Sequence, residues 1–362
     1  MNTNATIAAK QVFTGYDWFI DHTIRVENGI VKSITPSTKP AEVDIVAPSF
    51  IDLQLYGAGG FLFSEYPTTN TLEVIYQHCL ASGTAYFMPT LATNSNAVFK
   101  AGILAVKSYW ESGGKGCLGL HVEGPWINPA KKGAHDLTFI HSPDWDEVKE
   151  LLEVAPGVVK MITLAPEVCS QEVIQFLNQQ GVVVSAGHSA ATYEQAMSGF
   201  SQGIKCVTHL FNAMSPLQHR APGLAGATLH HKHVMASIIP DGYHVDWPVI
   251  SIAHQVMGDR LFVITDAVTN ANSGPYQHEL QNDHYVANGV LSGSALNMLQ
   301  AFNNLINKAS LPMEAAMRLC TINPSRAIGM EKEIGCIEVG KPFQGILLNA
   351  KKGSFYLTQH HD

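Results

Sequence analysis

The 362-residue chain is 46% hydrophobic and only 14% charged, with a formal net charge of −8, a balance that excludes a disordered or tail-driven binder. It has no block of Lys and Arg to neutralise a phosphate backbone, so nucleic acid is not expected as a partner. No apolar run reaches membrane-spanning length and MNTNATIAAKQVFTGYDWF lacks the basic flank and apolar core of an export signal, so a cytoplasmic protein without a membrane anchor is expected.

In chain order, residues 23–34 (TIRVENGIVKSI) alternate apolar and polar positions around Asn28-Gly29, a dipeptide that supplies positive φ at both central positions of a type I′ turn. A β-hairpin is predicted there. Strand-like apolar runs then end near Gln54, Thr90, Glu123, Ala165, His188, His209, Pro240 and Asp266. Helical stretches such as 69–82, 144–154, 170–179 and 191–200 alternate with them, as parallel β/α units require. Eight repeats predict an α/β protein with a closed (β/α)8 TIM barrel over 47–334. Residues 334–349 and 354–357 again resemble short strands, so 1–46 and 335–362 are expected to form a small β-sandwich domain built from both termini. The six cysteines, Cys79, Cys117, Cys169, Cys206, Cys320 and Cys336, form no CxxC pair and read as reduced core thiols.

In such barrels the chemistry sits at the C-terminal strand ends. Here Glu123 closes GCLGLHVE, His188 closes VVVSAGH, His209 closes KCVTH and Asp266 closes RLFVITD. A carboxylate and two imidazoles suit one divalent cation with a position left for water, so Glu123, His188 and His209 are the expected ligands. Zinc is the first expectation; Fe2+, Co2+ and Mn2+ suit the same donors. Asp266 is placed as general base and then general acid, and His135 as donor to the carbonyl oxygen. Either histidine alone would read as an ordinary rim residue, but two carboxylates at strand ends are costly without a function. His121 faces the same side as Glu123 and reads as support or packing. His230, His231, His233, His360 and His361 read as surface residues, and Met298 and Met313 as core.

These residues lie in segments that resemble the N-acetylglucosamine-6-phosphate deacetylases of the amidohydrolase superfamily over nearly the whole chain: SFIDLQLYGAGG (49–60), GLHVEGPWINPAKKGAHD (119–136), TLAPE (163–167), VSAGHSAATYEQA (184–196), THLFNAMSPL (208–217), PGLAGA (222–227), DGYHVD (241–246), ITDAV (264–268) and LSGSALNM (291–298). The resemblance implies the same roles for Glu123, His188, His209, Asp266 and His135. It also implies contacts to an amino-sugar phosphate from Gln54, Ala134, Asn212, Ala213, Arg220, His244, Ser292, Gly293 and Ser294. Arg220 and His244 would read the phosphate, and in a homodimer such contacts can cross the interface. Many amidohydrolases carry D-x-H-x-H after the first strand for a second metal; here Asp52, Gln54 and Tyr56 stand in that pattern, and Lys160 begins its strand instead of closing it. One metal ion is therefore expected. The implied reaction is hydrolysis of the acetamide of N-acetylglucosamine-6-phosphate; the galactosamine epimer and a non-catalytic sugar-phosphate-binding barrel are the alternatives.

Overall fold

The computed structural model describes residues 4–358. Eight parallel strands run Phe50–Leu55, Thr84–Ala92, Leu120–Glu123, Val159–Leu164, Val183–Ala186, Cys206–Val207, Met235–Ile238 and Leu261–Val263, each hydrogen-bonded to the next in chain order. The ring closes just beyond the last strand: Asp266 donates its backbone N–H to Gln54 O at 3.0 Å and Tyr56 donates to Ala267 O at 2.8 Å. All six residues of the first strand are buried, because helices cover the outside and side chains fill the inside. This two-sided burial is why the strands read as apolar runs.

The expected helices form at Thr69–Ala81, Trp145–Glu153, Gln171–Gln179 and Tyr193–Gln202. Each begins at a side-chain cap, from Thr68, Asp144, Ser170 and Thr192 respectively, which satisfies an orphan N–H of the first turn. Met298 is core and Met313 is half-buried against it. His230 and His233 are exposed, whereas His231 is half-buried against the Phe200 ring; His360 and His361 lie outside the described residues.

The β-sandwich expected from the termini takes the form of a six-stranded mixed sheet. It orders Ser354–Leu357, Gly345–Lys351, Val43–Pro48, Ala5–Phe13, Trp18–Glu27 and Ile30–Pro36. Asn28 (φ 53°) and Gly29 (φ 73°) turn the hairpin as their sequence dictates. Residues 334–344 differ from the strand reading: Gly335 and Gly340 adopt positive φ and Pro342 supplies no N–H, so the segment bends. It still bonds back to the hairpin, with Val31 donating to Lys341 O and Phe343 to Gly29 O, and so rolls the sheet around its own core of Ile7, Val12, Ile24, Val31, Val46 and Leu347.

Two excursions wall the barrel mouth. A short ribbon pairs Gly57–Ala58 with Phe61–Leu62, and a three-stranded meander (Glu279–Gln281, His284–Ala287, Val290–Ser294) follows the last barrel strand. Below the mouth, His121 Nε2, Thr163, Thr208 and Ser185 form a buried chain of hydrogen bonds, each 2.7 Å long, across the barrel interior. His121 thus supports the interior, and burial lowers its pKa to about 4, keeping the ring neutral.

Candidate active site

Four strand ends converge at the mouth. Beyond their strands His188 (φ 50°), His209 (φ 34°) and Asp266 (φ 55°) all take left-handed backbone conformations. Such conformations cost about 1–3 kcal/mol each in a non-glycine residue and tend to collect at functional sites. Glu123 Oε1 lies 3.1 Å from His209 Nε2 and 3.4 Å from His188 Nε2, and the two imidazole nitrogens are 3.2 Å apart. Vertices of a tetrahedral shell with bonds of about 2.0–2.2 Å are separated by about 3.3–3.6 Å, so this donor set needs to open only slightly to hold one divalent cation. His188 Nδ1–H donates to Lys131 O at 2.8 Å, which leaves Nε2 with its lone pair toward the cluster.

A second donor set overlaps the first. His135 Nε2 lies 3.3 Å from Glu123 Oε2, and Glu123, His135 and His188 each offer an atom within 4.8 Å of one another. His135 Nδ1 is held by Thr93 Oγ1 at 2.7 Å, which aims the opposite nitrogen at the mouth.

Gln54, on the first strand, and Tyr56, one residue past its end, meet at the same carboxylate. The Gln54 amide donates to Asp266 Oδ1 at 2.8 Å, to Glu123 Oε1 at 3.2 Å and to the Tyr56 hydroxyl at 2.7 Å. Tyr56 in turn donates to Glu123 Oε2. Two neutral side chains therefore occupy the wall where the D-x-H-x-H pattern would put imidazoles. Asp266 Oδ2 faces His244 Nε2 at 3.9 Å, and His244 Nδ1 is anchored by Asp241 Oδ2 at 2.6 Å. Asp241 is itself fixed by the backbone N–H groups of Tyr243 and His244.

The electrostatics separate the two carboxylates. Burial alone would raise Glu123, but the imidazoles of His135, His188 and His209 around it hold it well below the usual range. Burial raises Asp266, and the imidazoles of His209 and His244 offset that only in part. Burial brings His188 down to about 4, with the neighbouring His135 adding to the effect. For His209 burial also opposes the proton, yet the Glu123 carboxylate overcomes it and the net shift is upward. A strongly ionised ligand beside a carboxylate inclined to hold a proton is the division of labour a hydrolytic site needs.

Around these groups lies a cavity of about 250 Å³. Of the residues read from sequence, Glu123, Ala134, His135, His188, His209, Asn212, Ala213, His244, Asp266 and Ser292 line it. Gln54 lies behind the wall, fully engaged with the carboxylates. Ser294 is buried, its hydroxyl spent on Thr265 O and its N–H on Asp266 O. A Cβ on Gly293 would come within 2.6 Å of Val268, so that glycine permits a close strand approach. Arg220 is exposed and borders a separate surface hollow with Tyr193 and Glu194.

Sequence reasoning missed the supporting roles of Tyr56, Thr93 and Asp241, and it missed His278. The i, i+2 spacing of Gln54 and Tyr56 and the Asp-x-x-His pattern of Asp241 and His244 carried a signal. His278 carried none, because it stands in an irregular segment.

The amidohydrolase family model matches residues 45–358. The chain is 31% identical over 352 residues to the N-acetylglucosamine-6-phosphate deacetylase of Haemophilus influenzae, covering 91% of each. It is 28% identical over 359 residues to the N-acetylgalactosamine-6-phosphate deacetylase of Escherichia coli O157:H7, covering 95% of each. The solved structure of a mutant N-acetyl-D-glucosamine-6-phosphate deacetylase of Mycobacterium smegmatis, in complex with N-acetyl-D-glucosamine-6-phosphate, superposes with a TM-score of 0.91 at 26% identity, covering 99% of this chain and 98% of that one.

Proposed function

The chain belongs to the amidohydrolase family, and from that premise we propose that it hydrolyses the acetamide of N-acetylglucosamine-6-phosphate to glucosamine-6-phosphate and acetate. The observation that carries the reading is the convergence of Glu123 Oε1, His188 Nε2 and His209 Nε2 within 3.1–3.4 Å beside Asp266. These three are the proposed ligands, because their donor atoms lie within 3.1–3.4 Å of one another, whereas His135 Nε2 faces the other carboxylate oxygen, Glu123 Oε2, and is left to meet substrate. Zinc is the first choice, with Fe2+, Co2+ and Mn2+ accepted by the same donors. When bound, the cation would make water a competent nucleophile near neutral pH and polarise the acyl carbonyl.

The chain's own groups do the rest. Gln54 occupies Asp266 Oδ1, leaving Oδ2 to take a proton from the attacking water and deliver it to the amide nitrogen as the C–N bond breaks. The new C–O bond leaves acetate, and the protonated nitrogen leaves as the sugar amine. His135 Nε2–H donates to the carbonyl oxygen as negative charge develops there.

Among the described residues no Lys or Arg lines the cavity, so His244 is the phosphate reader available from within the chain. The exposed Arg220 is better placed to complete the phosphate site of a second copy, which supports a homodimer with a shared site. No helix among the described residues is long and apolar enough to cross a membrane, and we place the enzyme in the cytoplasm.

A second reading, the galactosamine epimer as preferred substrate, is favoured by the 28% identity to such an enzyme over 95% of the chain. Acetate release from each sugar phosphate, compared as kcat/KM with metal-replete and chelated protein, tests both. Activity lost on chelation and higher on the gluco compound is expected. Equal turnover after chelation contradicts the mechanism.

A further inference from the structure

His278 belongs to no group assigned so far, yet it lines the same cavity and is only 6% exposed. Its ring lies nearly parallel to that of Tyr276 (6.2 Å, 10°) and edge-on to Tyr285 (6.5 Å, 82°). Nδ1 is fixed by Ser292 Oγ at 2.9 Å, so the ring cannot swing freely. Among the described residues Nε2 has no hydrogen-bond partner, and in either tautomer it keeps one donor or acceptor to offer. Val268, Val290 and Leu291 line the same cavity, and the hydroxyls of Ser292 and Tyr276 are already engaged, with His278 Nδ1 and Thr93 O respectively.

In the free protein water can satisfy that nitrogen; a bound substrate displaces the water and must replace its hydrogen bond or bind more weakly. The substrate's other polar groups already have places: the carbonyl by His135, the leaving nitrogen by Asp266, the phosphate by His244. A methyl group cannot satisfy Nε2. Nor is the ring suited to an anion, since burial lowers its pKa to about 4 and keeps it neutral. What remains of an amino-sugar phosphate is its neutral hydroxyls.

We propose that His278, held in place by Ser292, hydrogen-bonds a ring hydroxyl of the sugar through Nε2 and is a specificity-determining residue of this enzyme. The proposal rests on the deacetylase reading above. It gives Ser292 a definite role, orienting the imidazole, and it places recognition of the sugar on the meander and not on the barrel.

The test compares metal-replete wild type with His278→Ala, His278→Asn and His278→Gln on the parent sugar phosphate, its C4 epimer and the 1-, 3- and 4-deoxy analogues. His278→Ala is expected to lower kcat/KM on the parent by about ten- to a hundredfold, mainly through KM, with metal content unchanged. On the deoxy analogue that lacks the contacted hydroxyl, wild type and His278→Ala should agree within about twofold. His278→Gln, whose amide reaches the position of Nε2, should recover part of the loss, and His278→Asn, which mimics only Nδ1, should not. A loss by the same factor on every analogue, or no loss on the parent, overturns the proposal. Failure of wild type to release acetate from either sugar phosphate overturns the deacetylase reading itself, a result distinct from active wild type with a uniform loss.

Discussion

Two polar clusters are buried in the same barrel, one at its waist and one at its rim. At the waist His121 Nε2, Thr163, Thr208 and Ser185 answer one another through hydroxyls that can turn to donate or accept. At the rim Glu123 meets two imidazole nitrogens that also face each other at 3.2 Å, an arrangement in which lone pairs oppose one another unless a proton or cation lies between them. The hydroxyls of the waist satisfy one another without a ligand; the converging donors of the rim do not. Burial of polar groups therefore does not mark the site, whereas donor atoms converging on a common point do.

The largest effect should come from a rim residue that holds no metal. Asp266→Asn should lower kcat by about a thousandfold with the metal still bound, as expected for loss of a general base; parental turnover measured by acetate release would remove Asp266 from its role. Next is Asp52, beneath the rim, which accepts from the backbone N–H groups of Gln54 and Thr265. Burial raises its pKa to about 7 from 3.8, opposed by hydrogen bonds from Thr265 and Gln54. The folded state thus holds this proton more tightly than the unfolded one. The associated stability is full below about pH 4 and is lost as pH rises through about 7, amounting to about 4 kcal/mol at most. Denaturant unfolding across that range should show the loss in wild type and not in Asp52→Asn.

Tyr56→Phe sharpens the contrast more gently. Without the phenol on Oε2, Glu123 loses its orienting partner, and metal affinity should fall about ten- to a hundredfold in a competition titration with a chelator. Smaller still, Thr163→Val at the waist should cost about 1–2 kcal/mol of unfolding free energy while leaving metal affinity unchanged. A matching loss of metal in that variant would erase the distinction between waist and rim.

The rim was readable from sequence because parallel strands buried on both faces are apolar throughout, so a terminal Glu, His or Asp stands out against its own strand. In the structure, caps at Thr68, Asp144, Ser170 and Thr192 set the helix starts by local hydrogen bonds. What depends on distant pairing was not readable. Tyr56 touches Glu123, 67 positions away, and its residue type gives no hint of the partner. His278 stands just before the meander, whose first two strands have four residues or fewer, too short for alternation to register. The 334–344 segment misled because apolar residues that follow a strand-like pattern were broken by Gly335 and Gly340, which the chain uses to bend.

An anomalous-difference map from a crystal of the protein as purified, recorded at the absorption edge of the bound metal, tests the central claim most directly. The account predicts one peak, about 2.0–2.2 Å from Glu123 Oε1, His188 Nε2 and His209 Nε2. A peak bonded to His135 in place of His209, a pair of peaks, or none between these side chains would contradict it.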